Sequence, residues 1–319
     1  KRPLAIHIHG GGWVRGDRGI GFYGAPAMAN GFANMGFVTV APSYRLGQYP
    51  FFLTDVIEAV VFATTAGNLE RAVADSVKVH HIEVLRAQLQ NGVVLSGHSA
   101  GAHIVSTITT VGHRLQCLQS TDGKRLREPL QALLVPERVK AVLLLSGIYT
   151  LRNPFSACGP CNWRNSVFDK MYMQRAFKPF GADLDEISPA WHLAQFTQTK
   201  SPAVDAYRAA VGEKAPADGE QGQRPEGNVE LPPILRFPCA VFSAGCDLGL
   251  ENDAERFANL LQAARQHAVS SKQLASAPQG AQREVIPKTS HPTICTRLDA
   301  HKAFAKALRT LLNPQAVPS

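Results

Sequence analysis

Short runs of apolar residues alternate along the chain with longer stretches in which apolar residues recur every three or four positions. The short runs, 4–8, 37–41, 92–96, 139–146, 238–243 and 283–286, read as buried strands, because a strand covered on both faces has no polar side to display. After the second run comes FLTDVIEAVVFATTAG, where Leu53, Val56, Ile57, Val60 and Val61 share one face of a helix. Ala254, Phe257, Ala258 and Leu261 form a second stripe over 252–266, and 297–312 carries a third. Strand followed by helix, repeated, predicts a mostly parallel, doubly wound α/β sheet with helices on both faces.

Two stretches break the pattern. Residues 197–233 are rich in Pro, Gly, Gln and charge with few large apolar residues, and are expected to form a mobile surface insertion. The run GKRLREPLQALLVPERVK at 123–140 mixes charges of both signs and is expected to be a solvated connection. With 319 residues, 45% hydrophobic and 18% charged, the chain can bury one large core, so 1–319 reads as a single domain.

Composition excludes several roles. The longest apolar run, KAVLLLSGIY, is broken by Ser146 and Gly147, far short of a membrane span. A formal charge of +8 suits an anionic ligand, but Lys and Arg are scattered, which argues against nucleic acid. Six cysteines in a chain this long make no disulfide framework and are compatible with a reducing, cytoplasmic setting. Lys1 stands at the doorstep of a strand, so the true N-terminus, with any leader or anchor, is expected to precede it. Nothing in the pattern fixes an oligomeric state.

Candidate chemistry begins at LAIHIHGGGWVRG, where a strand runs into Gly10, Gly11 and Gly12 before Trp13. Such a run is kept where the backbone takes unusual dihedrals or closely approaches something. Its counterpart is NGVVLSGHSAGAHIVSTI, in which Gly97-His98-Ser99-Ala100-Gly101 is a G-x-S-x-G nucleophile elbow between strand and helix. Ser99 must sit in a tight turn, so bulk is excluded two residues to either side, and the helix from Ala100 aims free N–H groups at the same spot. Backbone N–H groups of Gly11, Gly12 and Ala100 are the candidate oxyanion hole; such donors contribute about 3 to 4 kcal/mol each.

A serine needs a base and the base an orienting acid, in the chain order Ser, acid, His for this elbow. The strand FPCAVFSAG ends in Cys246-Asp247, which makes Asp247 the acid, with Glu251 and Asp253 as rivals at the start of the next helix. Of eleven histidines, position leaves His291, in REVIPKTSHPTI after the last strand, and His301 in the final helix. His291 is the preferred base. Residues 150–196 hold Phe155, Trp163, Phe168, Tyr172, Met173 and Phe177, expected either to line an apolar pocket from a small cap or only to pack that cap. Cys158-Gly-Pro-Cys161 repeats the residues of a thioredoxin site, but lies mid-chain in a polar connection, so an incidental pair or a local disulfide is expected. No second CxxC supplies the further ligands of a zinc site.

HGGGW, VAPSYRL, GHSAGAH, LSGIYTL and EISPAWHL, with the late Asp and His, together resemble the α/β-hydrolase superfamily, on its branch of hormone-sensitive-lipase-like carboxylesterases. GHSAGAH, SGIY and SPAWHL are most similar to the kynurenine formamidase and prenylcysteine methylesterase group. The resemblance spans most of 4–311 and is weak over 66–90, 114–137 and 197–233. It implies a serine hydrolase of small carboxylic esters, or alternatively an arylformamidase or prenylcysteine methylesterase, working without metal or organic cofactor. Ser99 would be nucleophile, Asp247 acid, His291 base, and Gly11, Gly12 and Ala100 oxyanion donors. By the same resemblance the chain begins at the family's third strand. A non-catalytic, ligand-binding member of this fold would be expected to lack the Ser or His, and here both stand in order.

Overall fold

The computed structural model describes residues 2–20, 25–121, 123–155, 163–197, 201–213 and 230–313. Its first half contains β1 (Leu4–Ile8), α1 (Ala25–Asn34), β2 (Thr39–Val40), α2 (Phe51–Thr64), α3 (Asn68–Val73), α4 (Val79–Gln90), β3 (Val93–His98) and α5 (Ala100–Val111). There follow α6 (Lys124–Leu133), β4 (Val139–Leu145), α7 (Trp163–Phe168), α8 (Gln174–Ala176), α9 (Pro189–Thr197) and α10 (Pro202–Val211). The chain closes with β5 (Cys239–Cys246), α11 (Glu251–Ser270), β6 (Gly280–Ser290) and α12 (Leu298–Leu312).

The strands form one sheet in the order β2-β1-β3-β4-β5-β6, and every described pairing is parallel. Because side chains alternate across a strand, the sheet divides its apolar residues between two cores. Leu4, Ile6, Ile8, Leu95, Val142 and Leu144 face a core covered by α2, α5, α6, α9 and α11. Ala5, Val94, Leu143, Leu145 and Phe242 face the other, covered by α1 and α12. All strand C-termini reach the same edge, where ligands gather in such sheets.

Four expectations are revised. The run at 123–140 is not merely a connection: α6 buries Leu126, Leu130 and Leu133 at helical spacing and turns its charges outward, Arg125 meeting Glu58 at 2.9 Å. Within 197–233, Pro202–Val211 is a helix that buries Val204 and Tyr207. The last strand is far longer than 283–286, since an edge strand carries polar residues that hide it from an apolar count. The second strand is shorter than 37–41, because the Val38 N–H is taken by the Gln88 side chain at 2.7 Å instead of a ladder. Cys158, Cys161 and the Trp163 side chain lie outside what is described. No described helix is long and apolar enough to cross a membrane.

Candidate active site

Between β3 and α5 the chain turns through a single residue. Ser99 takes φ 53 and ψ −119, a region costly for any side chain, held by Ser99 N–H donation to the Leu145 carbonyl at 2.8 Å and by the helix that starts at Ala100. A Cβ on Gly97 would collide with the Gly101 carbonyl, and one on Gly101 with the carbonyl of Ile8 in β1. The two glycines are therefore required by backbone packing. Every residue of α5 is buried, so its N-terminus cannot drift.

Asp247 and His291 follow β5 and β6, adjacent strands separated from β3 by β4. His291 Nε2 lies 2.8 Å from Ser99 Oγ, and His291 Nδ1 lies 2.7 Å from Asp247 Oδ1. Asp247 is fully buried, its second oxygen accepting the Ala244 N–H at 3.1 Å and its own N–H donating to Glu251 at 2.7 Å. The main chain of His291 is tied at both sides: its N–H donates to the Cys246 carbonyl at 3.2 Å and its carbonyl accepts from His98 Nε2 at 2.8 Å. With Nδ1–H committed to Asp247, Nε2 is left to accept a proton from Ser99.

The glycine run stands across the cleft. Gly11 and Gly12 have φ of 119 and 60; a Cβ on Gly11 would strike the Arg15 carbonyl, and one on Gly12 the ring of Tyr172. Gly10 leaves room for His98 and Ser99 beside it. Trp13 anchors the turn: it is fully buried, its indole N–H donates to His103 Nδ1 at 3.2 Å, and it meets Phe177 edge-on at 4.9 Å. His103 Nε2 donates to the Ile187 carbonyl at 2.9 Å, and burial lowers its pKa to about 4, so it serves as a neutral tether. On the other side, His9 stacks on Tyr44 at 4.4 Å, burial again lowering the imidazole pKa.

Ser99, His291, Gly11 and Gly12 open into a cleft of about 430 Å³. Ile148, Phe155, Phe168, Tyr172, Leu248 and Leu250 make its walls apolar. The aromatics of 150–196 thus divide their work: Phe155, Phe168 and Tyr172 face the cleft, whereas Met173 and Phe177 are buried in packing. The rivals for the acid have other partners. Asp253 accepts N–H groups of Tyr149 and Thr150 at 2.7 and 3.2 Å and pairs with Arg256 at 3.2 Å, while burial raises its pKa. His301 donates to the Cys295 carbonyl at 2.8 Å, away from Ser99. Sequence reasoning missed Arg15, Ile148, Leu248 and Leu250 as lining residues; adjacency to Gly12 and Asp247 was the available signal for three of them. Among the described residues no cluster of His, Cys, Asp or Glu could hold a metal.

A parallel doubly wound sheet with a strand–turn–helix serine at the C-terminal edge, and an acid and a histidine after later strands, defines an α/β-hydrolase fold. Residues 1–153 match the model of the BD-FAE family, an α/β-hydrolase esterase family. Among solved structures the chain resembles esterase B from Lactobacillus rhamnosis (HN001), at 16% identity and TM-score 0.54, covering 97% of this chain and 75% of that one. EstE5, in crystals soaked with p-nitrophenyl butyrate, gives 14% identity and TM-score 0.52 over 99% of this chain and 79% of its own. Esterase 2 of Thermogutta terrifontis gives 16% and 0.50 over 100% and 86%. No curated protein sequence matches the chain significantly.

Proposed function

We propose that this protein is a serine hydrolase that cleaves small carboxylic esters through an acyl-enzyme. The observation that carries the reading is the hydrogen-bonded chain Ser99–His291–Asp247, opening into an apolar cleft bounded by Gly11 and Gly12. Ser99 Oγ attacks the ester carbonyl as its proton passes to His291 Nε2; the carbonyl oxygen becomes an oxyanion, received by N–H groups of Gly11, Gly12 and Ala100. Collapse of this intermediate expels the alcohol, which takes the proton back from His291. Water then repeats the sequence on the acyl-enzyme, releasing the acid and restoring Ser99. Asp247, buried and receiving Nδ1–H, holds the ring orientation and stabilises the imidazolium.

The test uses the full chain and its Ser99→Ala variant on 4-nitrophenyl butyrate, N-formylkynurenine and a prenylcysteine methyl ester. Expected is turnover of the butyrate ester that falls at least about 10⁴-fold in the variant. Preference for the formyl amide or the prenylcysteine ester would move the substrate class, and Ser99-independent turnover would overturn the mechanism.

A further inference from the structure

The cleft contains one feature that ester cleavage does not require. Among the described residues lining it, Arg15 is the only Lys or Arg, and no carboxylate lines it. Arg15 follows the glycine turn, which it closes by N–H donation to the Gly11 carbonyl at 3.1 Å. Its guanidinium carbon stands 5.6 Å from the centre of the Tyr172 ring, the same ring that packs against Gly12. A cation over a ring face is positioned without being neutralised. The nearest acid in sequence, Asp17, is committed elsewhere, accepting from Gly19 N–H at 2.8 Å and the Ser43 hydroxyl at 2.7 Å. No carboxylate pairs with Arg15 among the described residues.

Resting on the hydrolase reading, we propose that Arg15 is a specificity residue that binds a carboxylate carried by the substrate, so that the preferred ester is anionic. The geometry sets the scale. The reacting carbonyl lies against Gly11 and Gly12, and Tyr172 bridges Gly12 to the guanidinium, so the carboxylate is held one ring's width beyond the reaction centre. A planar guanidinium binds a carboxylate through two parallel N–H···O bonds, and the apolar walls strengthen that pairing by excluding water. The carboxylate can belong to the acyl chain or to the alcohol.

The experiment compares 4-nitrophenyl hydrogen glutarate, anionic on the acyl side, and 4-carboxyphenyl butyrate, anionic on the alcohol side, each with its neutral methyl-capped counterpart. Enzymes are the wild type, Arg15→Gln, Arg15→Lys and Arg15→Glu. One anionic ester is expected to exceed its neutral partner in kcat/KM, and which one does identifies the side. Arg15→Gln is expected to lower that ratio about 10- to 100-fold, mainly through KM, with partial recovery in Arg15→Lys and inversion in Arg15→Glu. The wild-type preference should weaken as salt is raised. A ratio unaltered by Arg15→Gln, or a wild type that prefers both neutral esters, overturns the proposal while leaving the hydrolase intact. Calorimetric binding of the same anionic esters to Ser99→Ala reads recognition without turnover. Arg15-dependent binding there sustains the proposal even if hydrolysis itself fails, and its absence overturns it.

Discussion

The floor beneath Ser99 and the wall that faces it, made of Phe155, Phe168 and Tyr172, enclose one cleft with different materials. On the floor the close contacts are backbone against backbone: Gly97 against Gly101, and Gly101 against Ile8. On the wall the close contact is backbone against side chain, Gly12 against the Tyr172 ring. A carbonyl locked in a parallel sheet cannot retreat, whereas an aromatic ring can change rotamer. The floor therefore admits one sequence solution at each glycine, and the wall admits many. Chemistry is fixed below and selectivity is adjustable above.

The largest effect expected on the floor is on rate. Asp247→Asn preserves the shape of the site but presents the wrong histidine tautomer to Ser99, and should lower kcat about 10⁴-fold in ester hydrolysis with an unchanged melting temperature. A much larger wall truncation, Tyr172→Ala, should change kcat/KM for a short neutral ester by less than about tenfold. Equal losses from the two would abolish the distinction between floor and wall.

Stability sharpens the contrast. Gly101→Ala drives a methyl into the Ile8 carbonyl and should cost about 3 kcal/mol in a urea titration, with hydrolysis lost as the turn shifts. Acid should reveal the tether under the glycine turn. His103 has a folded pKa of about 4 against 6.5 for the exposed residue, so the unfolded chain binds the extra proton first. Its contribution is whole above pH 6.5 and is lost as pH falls toward 4, a decline of about 3 kcal/mol. Urea midpoints of His103→Gln should fall less steeply over that window than those of the wild type.

The smallest effect belongs to Gly12→Ala. Its φ of 60 and the Tyr172 ring together should cost about 1 to 2 kcal/mol, and Tyr172→Ala in the same chain should recover the steric part. No recovery would mean that the wall is as unyielding as the floor.

The same distinction explains what could be read in advance. G-x-S-x-G and Gly11 are written in the sequence because main-chain collisions forbid alternatives at those places, whereas Gly12 faces the movable ring of Tyr172. The parallel sheet was legible from apolar runs, but the limits of its edge strands were not: Gln88 truncates β2 by a side-chain bond from a distant helix, and β6 displays polar residues to solvent. The Leu126, Leu130 and Leu133 stripe of α6 was present but masked by charge and by Pro129 inside the helix. Asp247 outranked Asp253 in sequence by one argument of position; the structure adds that Asp253 is occupied with Tyr149, Thr150 and Arg256. Adjacency to Gly12 was the one local mark of Arg15, and the ring it lies over comes from a distant segment.

The strand order carries a consequence in time. After β1 and β2, each new strand joins the same flank of the sheet in the sequence in which a ribosome would deliver it, β3, β4, β5, then β6. Ser99 is placed with β3, Asp247 after β5 and His291 after β6. Most of the sheet is thus able to assemble while the serine still has no base. On the proposed mechanism, a growing or broken chain that stops before residue 291 would be inert, and hydrolytic power would be the last property the molecule acquires as it matures.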